Sequence, residues 1–280
     1  MASLLALFSS VLWGSADFLG GNLSKKFKSL AVTGVSQAVG LCFGLLLVLV
    51  TGGWIAPNLS WSGYLLPGIC AGFCGFFGLT SFYAGLSTGR MGVVSPISSL
   101  CALIPMAVAI IRGERPAFLQ LIGMAIALAG AFCASGPEIA GGVSLRPLLL
   151  ALGAALGFGT ALTFMAMGSK TSSLMTMTTM RMFTLLMCLG IAARYRTIGG
   201  FGVANILALT VIGISDFSAN FFLGIATTKG LVSIAMVLGS LFPIVTSILA
   251  FHYLHERLHK VQYLGIFLAV SGVALISIAG

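Results

Sequence analysis

The sequence has 280 residues, of which 59% are hydrophobic and 7% are charged, and its formal net charge is +9 at pH 7. Because soluble domains carry charge on about a quarter of their residues, this composition excludes an ordinary soluble protein. The basic residues occur singly or in small groups between apolar segments, a pattern typical of membrane topology and not of a nucleic-acid partner. We therefore expect a polytopic protein whose main partner is the lipid bilayer.

Apolar segments of about 20 residues follow one another along the chain, and short polar joints separate them. A helix of that length crosses the roughly 30 Å of hydrocarbon in a bilayer. The sequence thus predicts an all-α polytopic fold with ten transmembrane helices, near residues 3–22, 30–51, 64–86, 92–111, 117–135, 147–168, 174–193, 204–227, 231–253 and 261–279.

The second half of the chain repeats the first. Before a short polar joint, the positions that match at one constant offset are Gly92, Val94, Ser95, Leu100, Leu103 and Pro105, with Gly230, Val232, Ser233, Leu238, Leu241 and Pro243. After the joint, at an offset four residues larger, they are Glu114, Arg115, Gln120, Gly123, Ala127 and Gly130, with Glu256, Arg257, Gln262, Gly265, Ala269 and Gly272. Such a register indicates an internal duplication, with halves of about 1–136 and 147–280.

Earlier positions match less closely. The first-half residues Trp13, Ser24 and Gln37 fall opposite Phe158, Ser169 and Arg181. Because each half has an odd number of predicted spans, five, the second half enters the membrane from the opposite side. We therefore expect two inverted-topology five-helix repeats, with a substrate site near the midplane between them.

The paired motif of Pro, Glu-Arg, Gln, Gly, Ala and Gly, together with the five-plus-five layout, resembles the EamA-type transporters of the drug/metabolite transporter superfamily. The segment WGSADFLGG at 13–21, followed by a basic loop, is similar to one common bacterial branch of that family. The resemblance implies a secondary carrier in the bacterial inner membrane that moves small metabolites or drugs, often outward. It leaves the solute, the coupling ion and the oligomeric state open.

Three ionisable residues fall inside predicted spans: Asp17, Arg181 and Asp216. Charge is costly in hydrocarbon, so each is a candidate for substrate or ion binding. Asp216 lies midway along its span, with Asn220 one turn later, and desolvation would favour the neutral form that a proton carrier needs. Alternatively, Asp216 is the structural partner of Arg181, which lies within about one helical turn of the same depth on an antiparallel span.

Asp17 lies near the end of the first predicted span, one turn after Trp13. Neighbouring glycines would leave an open, aromatic-edged surface that suits a cationic or amine-bearing substrate. Small four-span relatives in the superfamily carry an acid in their first span for proton/drug exchange. Asp17 resembles that acid in its span, though not in a shared motif, and the resemblance implies a coupling role for Asp17. The second half has Leu162 at the matched position, so one half alone supplies this acid.

Pro96, Pro105 and Pro243 fall inside predicted spans. A proline within a helix frees a carbonyl and bends the helix, which lipid tolerates only where protein or a cavity supplies partners. These prolines either shape a transport pathway or shape helix packing.

His255, Glu256 and His259 satisfy the H-E-x-x-H motif of zinc metalloproteases. However, Glu256 repeats Glu114 of the first half, where no histidine is present, and the motif falls at a joint between spans. We therefore expect a solvated joint, no metal and no enzyme activity; we expect no cofactor either, because a phosphate-binding glycine loop is missing from the sequence. The alternatives are an intramembrane metalloprotease built on these residues, and a passive pore or lipid scramblase.

Two arguments about orientation disagree. The odd-numbered joints carry nine basic residues and the even-numbered joints carry four. The positive-inside rule then places the odd joints in the cytoplasm and both termini outside. The family resemblance implies the reverse, with both termini inside.

Overall fold

The computed structural model describes residues 1–88, 91–135, 145–195, 199–253 and 259–279, without the side chains of 91–93. Within these ranges every regular element is a helix. The helices are α1 (Ala2–Ser24), α2 (Ser29–Thr51), α3 (Leu65–Leu86), α4 (Met91–Ser99), α5 (Leu103–Ile111), α6 (Phe118–Ala134), α7 (Leu145–Tyr195), α8 (Val203–Lys229), α9 (Val232–Gly239), α10 (Phe242–Tyr253) and α11 (Lys260–Ile278). A 3₁₀ turn, Leu100–Ala102, joins α4 to α5.

Most of these helices have the length and composition of membrane spans. In the described part of the chain, eight helical stretches qualify when α4 and α5 count as one stretch, and α9 and α10 as another. The apolar helix α6 is shorter. The all-helical prediction is confirmed for these ranges, whereas the count of ten spans is not.

Helix α7 covers 51 residues but is not straight. Ser172 has the extended dihedral angles φ −163° and ψ 114°, which interrupt the helix. Ala161 and Met180 both lie against Gly75 of α3, although a straight helix would place them about 28 Å apart. The two arms of α7, residues 145–171 and 173–195, therefore fold back on each other.

The helices of the two halves pack against one another and not only among themselves. Helix α1 packs along α8, α2 contacts both α7 and α8, and α3 packs along α7. Helix α6 packs along α11. The interior between α1, α2, α7 and α8 therefore belongs to both halves.

The contact between α6 and α11 is built from the matched small residues of the duplicated motif. A Cβ atom added to Gly123 would lie 2.9 Å from the carbonyl oxygen of Gly272, and one added to Gly272 would lie 2.6 Å from that of Gly123. Gly130 packs in the same way against the backbone of Ala269. Only residues with little or no side chain allow helices to approach so closely.

Matched glutamines make hydrogen bonds at the two ends of the α6–α11 contact. Gln120 accepts a hydrogen bond from the N–H of Ala117 at the start of α6 (2.9 Å) and donates to the carbonyl of Ala279 after α11 (3.4 Å). Gln262 caps the start of α11 in the same way and donates to the carbonyl of Ala134 in α6 (3.3 Å). The repeated Gln, Gly, Ala and Gly of the sequence thus form one interface between the halves.

Besides the break in α7, the described part of each half has a helix interruption that a proline explains. The proline ring clashes with the carbonyl four residues earlier, which belongs to Cys101 for Pro105 and to Gly239 for Pro243. The 3₁₀ turn between α4 and α5 contains Cys101, and α9 ends at Gly239. Pro96 is buried inside α4, which continues past it.

The joint between α5 and α6 makes a specific contact with the other half. The carboxylate of Glu114 accepts hydrogen bonds from the backbone N–H groups of Val232 (2.7 Å) and Ser233 (3.0 Å) and from the Ser233 hydroxyl (2.7 Å). A negative charge at this position satisfies the free N–H groups of α9 and complements its helix dipole. Glu114 therefore caps a helix of the second half.

Candidate functional site

A cavity lies between the two halves, at the centre of the helix bundle. The space between its walls is about 680 Å³, counted with its opening to the outside. The walls come from α1, α2, α3, α7 and α8, from the start of α10 and from the two helix interruptions. All five predicted substrate or ion residues line it: Asp216, Asp17, Arg181, Asn220 and Trp13.

The cavity also brings together positions that match between the halves. The matched pairs on its wall are Trp13 with Phe158, Asp17 with Leu162, and Gln37 with Arg181. In each pair the two residues differ in chemistry. The cavity therefore has two-fold related walls whose matched positions carry different side chains.

Arg181 and Asp216 form a buried ion pair on this wall. Nη2 of Arg181 lies 3.1 Å from Oδ2 of Asp216, and the side chains are 3% and 14% exposed. The same nitrogen donates to the backbone carbonyl of Asp216 (3.1 Å). The pairing expected from equal depth is present, and the two charges neutralise each other.

Three further side chains complete the hydrogen bonding of this pair. Gln37 donates to Oδ2 of Asp216 (2.9 Å) and accepts from Nη1 of Arg181 (2.8 Å). Trp13 Nε1 donates to Oδ1 of Asp216 (3.1 Å), and Asn220 donates to Oδ1 (3.2 Å) and to the Asp216 backbone carbonyl (2.8 Å). A buried ion pair is stable only when its remaining donors and acceptors are satisfied in this way.

Gln37 is the member of this cluster that the sequence did not assign to the site. The sequence placed it only as the counterpart of Arg181. The sequence could have identified it, because the amide of a glutamine within an apolar span needs a hydrogen-bond partner. In the structure the Gln37 side chain is fully buried.

Asp17 lies on the same cavity but makes a different set of contacts. It is half-buried, one turn along α1 from Trp13. Among the described residues, no hydrogen bond or ion pair reaches its carboxylate, whereas four side chains bind that of Asp216. The two acids that the sequence offered as candidates therefore have opposite environments.

The three prolines lie outside this cavity wall. The interruptions caused by Pro105 and Pro243 nevertheless place Cys101 and Ser240 on it. Pro105 lines a second cavity together with Glu114, of about 540 Å³ when its opening to the outside is included. Pro96 lines neither cavity.

The H-E-x-x-H match receives no support from the structure. His255 and Glu256 lie outside the described residues. His259 is exposed at the start of α11, where its backbone N–H donates to Gln262. Within the described ranges, no three His, Cys, Asp or Glu side chains are grouped so that they could hold a metal ion.

The sequence profile of the EamA-like transporter family matches this chain twice, over residues 1–136 and 145–278. The chain belongs to the EamA-like transporter family. The resemblance inferred from the paired motifs is thereby confirmed, and with it membership of the drug/metabolite transporter superfamily. As an EamA-like protein, the chain is a multi-pass membrane transporter that handles small-molecule solutes, and its family is one of transporters and not of enzymes.

A protein of known crystal structure is similar to this EamA-like chain throughout. The similarity covers 99% of this chain and 96% of the other, with a TM-score of 0.79 and 18% sequence identity. At that identity the similarity shows a shared fold alone. No curated protein sequence matches the chain.

Proposed function

We propose that this EamA-like protein is a secondary active exporter of small organic metabolites or drugs in the bacterial inner membrane. It would work by alternating access between two inverted five-helix repeats, residues 1–136 and 147–280, with ten spans in total. The length of α7 supports this count, because its 51 residues would extend about 77 Å, more than twice the roughly 30 Å of hydrocarbon. Its two arms then count as separate spans.

The observation that carries the proposal is the cavity between the halves. Helices of both halves contribute to its walls, so rocking one half against the other would move the wall groups relative to each other. Charged groups deep in a membrane protein mark solute and ion pathways. Here they are gathered at one cavity instead of being scattered along the helices.

We further propose that the coupling ion is a proton and that Asp17 carries it. Asp216 is the weaker candidate because a proton on its carboxylate would leave the buried Arg181 without its counter-charge. Asp17 has no such partner among the described residues, so it can gain and lose a proton without breaking an ion pair. The Asp216–Arg181 ion pair would then fix the geometry of the site, and Asn220 and Trp13 would hold the Asp216 carboxylate in place.

Transport by purified protein in proteoliposomes tests this function. The wild type should accumulate a solute from a metabolite and drug panel when a pH gradient is applied, with saturable kinetics. Asp17→Asn, which is neutral and similar in shape, should still exchange solute across the membrane but lose gradient-driven accumulation. Asp17→Glu should retain part of it.

Two outcomes would contradict the proposal. Wild-type coupling in Asp17→Asn would remove Asp17 from the coupling step. Flux that does not saturate with any solute, or lipid movement without solute transport, would favour the passive pore or scramblase.

A further inference from the structure

The second cavity lies where α5 of the first half meets α7 and α9 of the second. Cys101, just before α5, and Leu162 of α7 line the central cavity, and both segments run from there to the second cavity. The two segments therefore run in the same direction. One ends at the joint after α5 and the other at the break of α7 at Ser172. Because spans end at these places, the second cavity lies near a membrane surface.

The two segments line this cavity with the same spacing. In each of them the lining residues follow at i, i+3, i+4 and i+7, which places them on one helix face. Each face is free of charge for about 10 Å and then ends in a cation. The residues are Pro105, Val108, Ala109 and Arg112 from the first half, and Thr163, Ala166, Met167 and Lys170 from the second.

The facing walls offer hydrocarbon and no free polar side chain. Thr163 is the polar residue among them, and its hydroxyl donates to the carbonyl of Gly159 in its own helix (2.8 Å). Val108 and Met167 are half-buried, whereas Ala109 and Ala166 are buried behind them. The inner part of the cavity therefore suits an apolar group.

The outer end of the cavity is positively charged. Arg112 and Lys170 are both exposed, and neither side chain has a hydrogen bond or an ion pair among the described residues. Glu114 also lines the cavity, but its carboxylate accepts three hydrogen bonds from Val232 and Ser233 of α9. Two cations, one from each half, are thus left without a partner beside an apolar groove.

This arrangement selects among the molecules that a bilayer supplies. A soluble anion would pair with the cations but would leave the apolar walls uncovered. A lipid without net charge would cover the walls but would leave the cations unpaired. An anionic phospholipid does both, and basic pockets between membrane spans are known to bind such head groups.

We propose that the second cavity binds one anionic phospholipid. Its phosphate pairs with Arg112 and Lys170, and one acyl chain lies between α5 and α7. Because the two cations belong to different halves, the bound lipid stabilises the arrangement of the halves that brings them together. This site is separate from the central cavity and does not depend on a coupling role for Asp17.

Lipid binding to the wild-type protein tests the charge and the chain separately. The full chain is purified in a neutral detergent, and bound lipid is measured by native mass spectrometry. The probes are dioleoylphosphatidylglycerol, dioleoylphosphatidylcholine with the same chains, and glycerol 3-phosphate with no chain. The anionic lipid should bind at least about tenfold more tightly than the zwitterionic one, because it adds a net negative charge beside two cations. Glycerol 3-phosphate should bind most weakly.

Charge variants locate the head group. Arg112→Gln together with Lys170→Gln should weaken binding of phosphatidylglycerol by about tenfold or more. Arg112→Lys together with Lys170→Arg keeps both charges and should retain most of the binding. The control is Lys25→Gln together with Lys26→Gln, which removes two exposed charges after the end of α1, away from this cavity, and should bind like the wild type.

A bulky substitution locates the acyl chain. Val108→Trp fills the space between the walls and leaves both cations in place, so it should also weaken binding of the lipid. Ile111→Trp is the matched control, because Ile111 is exposed and does not line the cavity. A melting curve for each variant without added lipid separates lost binding from lost folding.

Equal affinity for the two lipids would overturn this inference, and so would glycerol 3-phosphate that binds as tightly as phosphatidylglycerol. Wild-type lipid affinity in the Arg112→Gln, Lys170→Gln protein would contradict it as well. If that protein also melted at a lower temperature, the two cations would serve only to complement the carboxyl-terminal dipoles of their helices. Unchanged binding in Val108→Trp would exclude the acyl chain from the groove.

Discussion

The α6–α11 contact and the central cavity use the same duplicated sequence in opposite ways. At the contact, both halves supply the same residues, and Gln120 and Gln262 make matching hydrogen bonds. In the cavity, matched positions hold different residues, such as Gln37 and Arg181. The duplication is thus retained where the halves hold each other and has diverged where the charges lie.

The physical reason is that one ion pair needs unlike partners. A symmetric cavity would place either two arginines or two glutamines at these positions. Two arginines would leave one guanidinium without an acid, and two glutamines would leave Asp216 without a counter-charge. The mixed pair lets Gln37 bridge both members, accepting from Arg181 and donating to Asp216.

We expect the largest loss of stability from breaking the ion pair between Arg181 and Asp216 in the cavity. Asp216→Asn leaves Arg181 buried without a counter-charge, which should lower the free energy of unfolding by about 3–5 kcal/mol. Adding Arg181→Gln, the residue that the first half has at this position, should restore much of the loss. Thermal unfolding in detergent measures both variants; a stable single variant would show that the pair does not hold the site together.

A smaller effect is expected where the helices of the two halves touch. Gly272→Val adds atoms where a Cβ would already lie 2.6 Å from the carbonyl oxygen of Gly123, so overpacking should cost about 1–3 kcal/mol. Gly190→Ala is the matched control, because a Cβ there meets nothing within 4 Å. If the two variants unfold at the same temperature, the close approach of α6 and α11 is not needed for stability.

Glu114 also links the two halves, and we expect its loss to lower the free energy of unfolding by less than the two changes above. Glu114→Ala removes the cap of α9, for which about 0.5–2 kcal/mol is typical. The effect should be local, so the amides of Val232 and Ser233 should exchange hydrogen faster than in the wild type. Arg115→Ala, an exposed neighbour, serves as control, and unchanged protection in Glu114→Ala would argue against the cap.

The smallest expected loss of stability tests whether the α6–α11 contact is symmetric. Gln120→Ala and Gln262→Ala each remove equivalent hydrogen bonds, so each should cost about 1 kcal/mol and the two melting temperatures should fall by similar amounts. Gln37→Ala, in contrast, also deprives a buried ion pair of a donor and an acceptor and should cost more. Unequal losses at the two interface glutamines would show that the contact is less symmetric than its hydrogen bonds.

The sequence predicted those features that depend on depth or on repetition. Counting residues from the shared end of two antiparallel spans placed Arg181 and Asp216 at one level, and the repeat identified the EamA-like family. It did not predict that Gln37 bridges the pair, because the rotation of a helix about its axis depends on packing with distant segments. It also treated the Glu-Arg joint as a polar connection, since the contact of Glu114 with α9 joins residues more than a hundred positions apart.

The same limit applies to the two acids. The sequence offered both as candidates, Asp216 midway along its span and Asp17 near the end of its span. Depth alone does not reveal whether an acid is neutralised by a neighbour. The structure distinguishes them, because donors surround Asp216 and none of the described residues reaches Asp17.

The hydrogen bond between Gln37 and Arg181 also bears on membrane insertion during synthesis. Spans leave the ribosome in order, so the second arm of α7 brings Arg181 to the bilayer before α8, with Asp216, has been made. Insertion of an arginine at a helix centre costs about 2.5–3.5 kcal/mol. Gln37, already inserted with α2, offers its side-chain oxygen to the guanidinium at 2.8 Å, and can hold Arg181 in the nascent bundle until its acid arrives.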